Sequence, residues 1–231
     1  MVYCLSDKFQ IITGSNGDEG IQLAIENIPD LIISDIMMPI KNGYELTEEI
    51  KSNTLTNHIP IILLTALSDV EDRVKAYDLG ADAHIAKPFQ ESELLSIIDN
   101  LIKQREVIKE KFKFTDHSES YAERFSKSRD QDFITNVLSI INEKLDDESF
   151  NVNELAKRAF ISPRQLSRKL KALTDLSPNQ LIRKIRLQKA YKLIKEESCQ
   201  INEVTYQVGF TSHSHFSSSF KKEYGVSPSQ I

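Results

Sequence analysis

Two segments in the last third of the chain repeat one another, and this repeat limits the possible folds more than any other feature. ELAKRAFISPRQLSRKLKALTDLSPNQL (154–181) aligns with EVTYQVGFTSHSHFSSSFKKEYGVSPSQI (203–231). At an offset of 49, Glu154, Leu155 and Ile161 match Glu203, Val204 and Phe210. One residue is then inserted. At an offset of 50, Ser162, Leu166, Ser167, Leu170, Lys171, Ser177, Pro178 and Gln180 match Ser212, Phe216, Ser217, Phe220, Lys221, Ser227, Pro228 and Gln230. Self-similarity at a fixed period marks a repeated supersecondary unit.

Each unit reads as helix, tight turn, helix. In the first, Leu155 and Ala159 are expected to face a core, and Phe160-Ile161-Ser162 to form the turn. Ser162 suits an N-cap, with Pro163 at the first helical position, where a missing N–H is harmless. Leu166, Leu170 and Leu173 follow at 4- and 3-residue spacing, which puts them on one buried stripe. Arg164, Gln165, Ser167, Arg168 and Lys171 are left on the other side. In the second unit Gly209 makes the turn and Ser212 caps. Phe216, Phe220 and Tyr224 face inward, and His213, Ser214, Ser217 and Ser218 outward.

PNQLIRKIRLQKAYKLIKE (178–196), capped by Ser177, joins the units. At about 1.5 Å per residue this helix spans roughly 29 Å. That approaches the roughly 34 Å of one DNA turn, so the two second helices suit successive major-groove faces. Its apolar residues, among them Leu181, Ile185, Leu187 and Leu193, lie on more than one side, as expected of a helix buried between two partners. Arg183, Lys184, Arg186, Lys189, Lys192 and Lys195 are available to phosphates, although single cations are more often a solvated face.

Charge separates the two halves. The whole chain carries −5, which alone argues against nucleic acid. Residues 1–104, however, hold 7 basic and 17 acidic side chains, a net of −10, and residues 151–231 hold 14 and 6, a net of +8. An acidic domain joined to a nucleic-acid-binding one has this asymmetry, and so do two differently charged solvated surfaces. Cys4 and Cys199, the only cysteines, provide neither a disulfide framework nor a metal cluster and read as buried or idle thiols. No run approaches the roughly 18–20 apolar residues of a membrane span. The N-terminus lacks a signal-peptide layout. A cytoplasmic protein is expected.

The first hundred residues alternate apolar runs with amphipathic stretches. Strands are expected at Phe9–Ser15, Leu31–Ser34, Ile61–Thr65 and Ala83–Ala86. Helices are expected near 18–27, 43–52, 70–79 and 91–105. Continuous apolar strands separated by helices indicate a parallel sheet covered on both faces. Domain bounds are therefore 1–105, a charged linker at 106–130, and an all-helical 131–231 with modules at about 152–173 and 201–224.

Asp35, Thr65 and Lys87 each end an apolar strand. The carboxyl ends of parallel strands gather at one edge, where ligands bind. A carboxylate, a hydroxyl and an ammonium converging there fit phosphoryl chemistry: the Asp as acceptor, the others holding phosphoryl oxygens. A strand-end Asp is also often a turn residue, and Lys-Pro often only stops a strand.

Two resemblances carry these readings further. LAKRAFISPRQLSRKLK, the joining helix and VGFTSHSHFSSSFKKEYGVSPSQ resemble AraC-family regulators over about 130–231. The resemblance implies base readers at Arg164, Gln165, Ser167 and Arg168 in the first module and at His213, Ser214, Ser217 and Ser218 in the second. The family often has Arg at the position of Ser218, so the second module is expected to add mainly phosphate affinity. DLIISDIMMPIKNGYEL, PIILLTA and GADAHIAKPF resemble response-regulator receivers over about 8–105. They imply an α/β flavodoxin-like fold, with Asp35 as phosphoacceptor, Thr65 as switch hydroxyl, Lys87 as phosphate-binding lysine and a cis peptide before Pro88. His84 stands where the family usually has a switching Tyr or Phe. Receivers use Mg²⁺ held by an acidic pair after their first strand. MVYCLSD offers neither strand nor pair, so this first strand reads as missing and the chain as a piece of a longer polypeptide, such as a hybrid sensor kinase.

The implied function is a non-enzymatic, DNA-binding transcription regulator of a two-component relay. Its expected partners are double-stranded DNA, a sensor histidine kinase, RNA polymerase and a second copy of itself. An alternative is a DNA-binding protein whose receiver-like part only docks or dimerises. A phosphotransfer enzyme is disfavoured, because no second Asp, Gly-rich loop or base accompanies Asp35.

Overall fold

In the computed structural model the residues described are 5–66, 70–113, 129–197 and 200–231. Cys4, Cys199, the segment Met1–Cys4 and residues 114–128 of the expected linker lie outside them. Among the described residues the chain divides into two compact units, one built on residues 5–113 with 172–175 and the other on residues 129–171 and 176–231.

The first unit runs α1 (Gly17–Asn27), β1 (Ile32–Asp35), α2 (Gly43–Ser52), β2 (Ile61–Thr65), α3 (Val70–Asp78), β3 (Ala83–Ala86) and α4 (Glu91–Lys113). The strands form a parallel sheet in the order β1-β2-β3, with Ile32 opposite Ile61 and Ile62 opposite Ala83. Alternation along β2 distributes its side chains. Ile61 and Leu63 pack with Ile21, Ala24, Leu46 and Ile50. Ile62 and Leu64 pack with Ile85, Leu94 and Ile98. Ile61, Ile62 and Leu63 are fully buried, as a strand covered on both faces requires.

One expected strand does not form. Residues 9–15 run without regular structure before α1. In a flavodoxin-like sheet of order 2-1-3-4-5, the second strand pairs with the first alone. Among the described residues no strand flanks β1 on its outer side, so FQIITGS has no ladder to join and its backbone groups turn elsewhere. A second difference lies at the expected linker, whose residues 106–113 continue α4. Glu106, Lys109 and Glu110 are good helix formers by residue type.

The second unit is helical: α5 (Arg129–Glu143), α6 (Val152–Arg158), α7 (Pro163–Thr174), α8 (Pro178–Glu197), α9 (Ile201–Gln207) and α10 (His213–Tyr224), closed by a 3₁₀ turn at Pro228–Gln230. Three of its starts share one device written S-P-x-Q. Ser162, Ser177 and Ser227 each face a Gln three residues on, at Gln165, Gln180 and Gln230. The Gln oxygen accepts from the Ser N–H at 3.1, 2.8 and 2.9 Å. In the first two, the Ser hydroxyl in turn accepts from the Gln N–H at 3.2 and 3.3 Å. These are reciprocal capping boxes.

The core of α6 and α7 differs from expectation at one place. Leu155, Leu166 and Leu170 are fully buried and Leu173 nearly so, but Ala156, not Ala159, completes that face. Ala159 is the C-cap of α6 and stands half out of the core. Buried Leu181, Ile185, Leu187, Ala190 and Leu193 surround the axis of α8. Leu187, Ala190 and Leu193 belong to the core of the second module, with Val204, Phe210, Phe216 and Phe220.

Candidate functional sites

The carboxyl edge of the sheet assembles the first site. β1 ends at Asp35, β2 at Thr65 and β3 just before Lys87. Ladder bonds continue past the strand ends: Ile36 N–H donates to the Leu64 carbonyl at 2.9 Å, and Lys87 N–H to that of Thr65 at 2.6 Å. The Lys87 ammonium forms an ion pair with Asp35 Oδ2. Asp35 Oδ1 accepts from Met37 N–H at 3.3 Å. Both side chains of the pair are 37% exposed, so the carboxylate is held yet reachable from solvent. Thr65 is buried beside them. His84 sits half-buried on β3, opposite Leu63. The peptide between Lys87 and Pro88 is cis.

The loop from Asp35 to α2 is drawn tightly under this edge. Gly43 N–H donates to the Ile36 carbonyl at 3.0 Å, and a side chain at Gly43 would collide with the Asp35 carbonyl oxygen. Asn42 then caps α2 through a complete capping box with Glu45. Met37 and Ile40 lie in this loop, 75% and 80% exposed. Neither was singled out in the sequence, where IMMPI reads as one more apolar run.

Asp35 faces a cation, and no three of His, Cys, Asp or Glu gather as a metal site among the described residues.

In the helical unit, Arg164 is exposed on the first turn of α7, with Ser167 and Arg168 partly exposed on the next. Gln165 lies beside them, but its oxygen is occupied by the Ser162 cap. On α10, His213, Ser214 and Ser218 are exposed and Ser217 is half-buried. The Ser218 hydroxyl donates to the Ser214 and His215 carbonyls at 2.9 and 3.1 Å, so it is spent on its own helix.

A cleft of about 280 Å³ opens beside α10, lined by Asn179, Arg183, Arg186, Thr211 and His215 among others. The Arg186 guanidinium donates to the Asp147 carbonyl at 2.6 Å, and burial pulls its pKa below the usual value. The model of the "Response regulator receiver domain" matches residues 2–99, and that of the "Helix-turn-helix domain" matches residues 155–231.

Residues 2–99 thus carry a response-regulator receiver domain and residues 155–231 a helix-turn-helix domain.

A "Histidine kinase P4" of Formosa agariphila is 34% identical over 226 residues, 98% of this chain but 16% of that protein. A "Probable transcriptional regulator ycf29" of Pyropia yezoensis is 48% identical over 108 residues, 47% of this chain and 48% of that one. The chain thus spans half or less of these relatives. The C-terminal domain of AraT, a response regulator from Geobacillus stearothermophilus, is 31% identical, covering 42% of this chain and 81% of that one, with a TM-score of 0.40. No described helix of the receiver or of the helix-turn-helix domain is long and apolar enough to cross a membrane.

Proposed function

We propose that this chain is the output end of a two-component relay: a receiver whose Asp35 accepts a phosphoryl group and a helix-turn-helix domain that reads DNA. One observation carries the proposal. A solvent-reachable Asp is paired with a Lys at the carboxyl edge of a parallel sheet, in the same chain as the basic double module.

In the proposed transfer, an Asp35 carboxylate oxygen attacks the phosphorus of a phosphohistidine on a sensor kinase. The phosphorus–nitrogen bond breaks and the histidine keeps the electron pair. Lys87 exchanges its carboxylate partner for phosphoryl oxygens, a charge-assisted contact. Thr65 stands at the edge to donate its hydroxyl, and His84, on the adjacent strand, is the switch position. The added charge of about −1.5 to −2 repositions these groups. Met37 and Ile40, exposed in the loop after Asp35, offer the kinase apolar surface. No step is assigned to Mg²⁺, so transfer in this chain is expected to be slow. Asp35 is consumed as an acceptor rather than turned over, which is not enzymatic catalysis.

On the DNA side, Arg164 and Arg168 of α7 are the proposed base readers, with Gln165 and Ser167 beside them. His213, Ser214, Ser217 and Ser218 approach the next groove with less chemistry to offer. The arginine-lined cleft beside α10 suits the phosphate backbone between the two grooves. A cytoplasmic location, dimerisation on activation and contact with RNA polymerase belong to the same proposal.

Intact-mass measurement after incubation with acetyl phosphate tests the acceptor. A minor, slowly formed single-phosphoryl adduct is expected, absent from Asp35→Asn. An adduct that survives in Asp35→Asn would place the acceptor elsewhere. Asp35 pairs with Lys87 rather than gathering with two other His, Cys, Asp or Glu side chains among the described residues, which favours a second reading, in which the receiver only docks or dimerises. No adduct in the native chain, with DNA binding intact, would support that reading.

A further inference from the structure

Lys169 breaks the pattern of its helix. It lies on α7 next to the proposed reader Arg168, yet it is 0% exposed. Its ammonium is 3.0 Å from Asp130 Oδ1 and 4.8 Å from the centre of the Phe133 ring. The Asp130 side chain is itself only 16% exposed. Both partners sit on the first two turns of α5, and Phe133 is 7% exposed. Lysines are almost never fully buried unless paired.

Stability does not explain this arrangement. Desolvating two charges costs about what their attraction returns, and apolar replacements of a buried pair are often neutral or stabilising. Direction is what the pair adds. Leu166, Leu170 and Leu173 hold α7 by apolar contact, which is non-directional and tolerates small slides. An ammonium held between a carboxylate and a ring face fixes both rotation and height. Because successive helical residues are about 100° apart, a rotation that loosened Lys169 would swing Arg168 with it.

We propose that the Asp130–Lys169 pair is the positioning element that sets the register of α7 on α5 and so aims Arg164 and Arg168 at base edges. Lys169 acts through its neighbours and does not touch phosphate. The inference rests on the reading of α7 as the DNA-reading helix.

The test uses the full chain and two duplexes: one selected by this protein from a random-sequence pool, the other its scrambled counterpart. The main variant, Asp130→Leu with Lys169→Met, replaces the pair with apolar side chains of similar size. Its melting temperature is expected to match or exceed that of the native chain. Its affinity for the scrambled duplex and its salt slope are expected to stay unchanged, while preference for the selected duplex falls about tenfold. Exchanging the charges, Asp130→Lys with Lys169→Asp, is expected to recover much of that preference. Native discrimination in the apolar variant overturns the inference. So does a lowered salt slope in Lys169→Met alone, since that marks a phosphate contact. If the native chain prefers no sequence, the DNA-reading assignment falls first, a result distinct from either of these.

Discussion

The two helix-turn-helix modules share one plan, and the same turn position is filled in opposite ways. Phe160 in the first and Gly209 in the second are equivalent at the offset of 49, and both adopt left-handed backbone, φ 57° and 72°. A Cβ at Gly209 would come within 2.6 Å of the Leu145 carbonyl oxygen and 2.7 Å of the Arg186 guanidinium. Phe160 meets no such wall; its side chain is 94% exposed. One turn is packed against the rest of its unit and therefore needs glycine. The other projects into solvent and tolerates a bulky residue at a strained angle. The cores diverge likewise. Leucines and one buried lysine fill the first module, and a chain of rings fills the second, with Phe220 4.6 Å from Tyr224 and Phe216 5.3 Å from Phe210. A duplicated backbone plan thus leaves room for unequal chemistry.

The largest expected effect tests the ring core. Phe216→Ala removes a fully buried ring that touches Phe210 and Phe220 and should cost about 3–5 kcal/mol. Denaturant unfolding followed by circular dichroism measures it. A loss below about 1 kcal/mol would mean that the second module collapses to fill the space, as a jigsaw core should not. Gly209→Ala comes next, at about 2 kcal/mol or more, because left-handed strain and the clash with Leu145 and Arg186 add. A cost equal to that of an exposed glycine change would show that the turn is less enclosed than described.

The DNA-facing surfaces give the next contrast. Arg168→Ala should lose about 1–3 kcal/mol of discrimination between selected and scrambled duplexes. Ser218→Ala should change it by less than about 0.5 kcal/mol, since that hydroxyl is bonded within α10. Competition binding at fixed salt reads both. Equal losses would make the modules equal readers. Lys195→Ala, on α8, should instead weaken both duplexes alike and lower the salt slope by about one unit.

How much of this was legible in the sequence depends on how local each signal is. Caps, turns and the 3.6-residue stripes act within a few residues, so SPNQ-like starts and the Leu166-Leu170-Leu173 stripe point to the helices that form. β1 and β2 were legible because LII and IILL are continuous apolar runs. FQIITGS also holds apolar residues, but a strand exists only where another offers it a ladder, and residues 9–15 have none. Charge counting also concealed Lys169, one cation among many. Its spacing held the clue, three residues after Leu166 and four before Leu173, on the buried stripe itself. The Asp35–Lys87 pair was foreseeable from strand ends alone, because a parallel sheet gathers them at one edge.

The last effect bears most directly on the contrast of the two turns. Phe160→Gly removes a side chain that is almost wholly in solvent, so no buried apolar area is lost. It relieves left-handed backbone, which costs a non-glycine residue about 1–2 kcal/mol. Against that, glycine adds unfolded-state freedom worth about 0.4–1 kcal/mol. The balance is a gain of about 0 to 1.6 kcal/mol, centred near 0.8 and opposite in sign to Gly209→Ala at the matching position. Thermal unfolding of the two variants side by side reads both signs in one experiment. Destabilisation by Phe160→Gly would show that the exposed ring contributes a contact to the fold after all, and the difference between the two turns would then be one of degree.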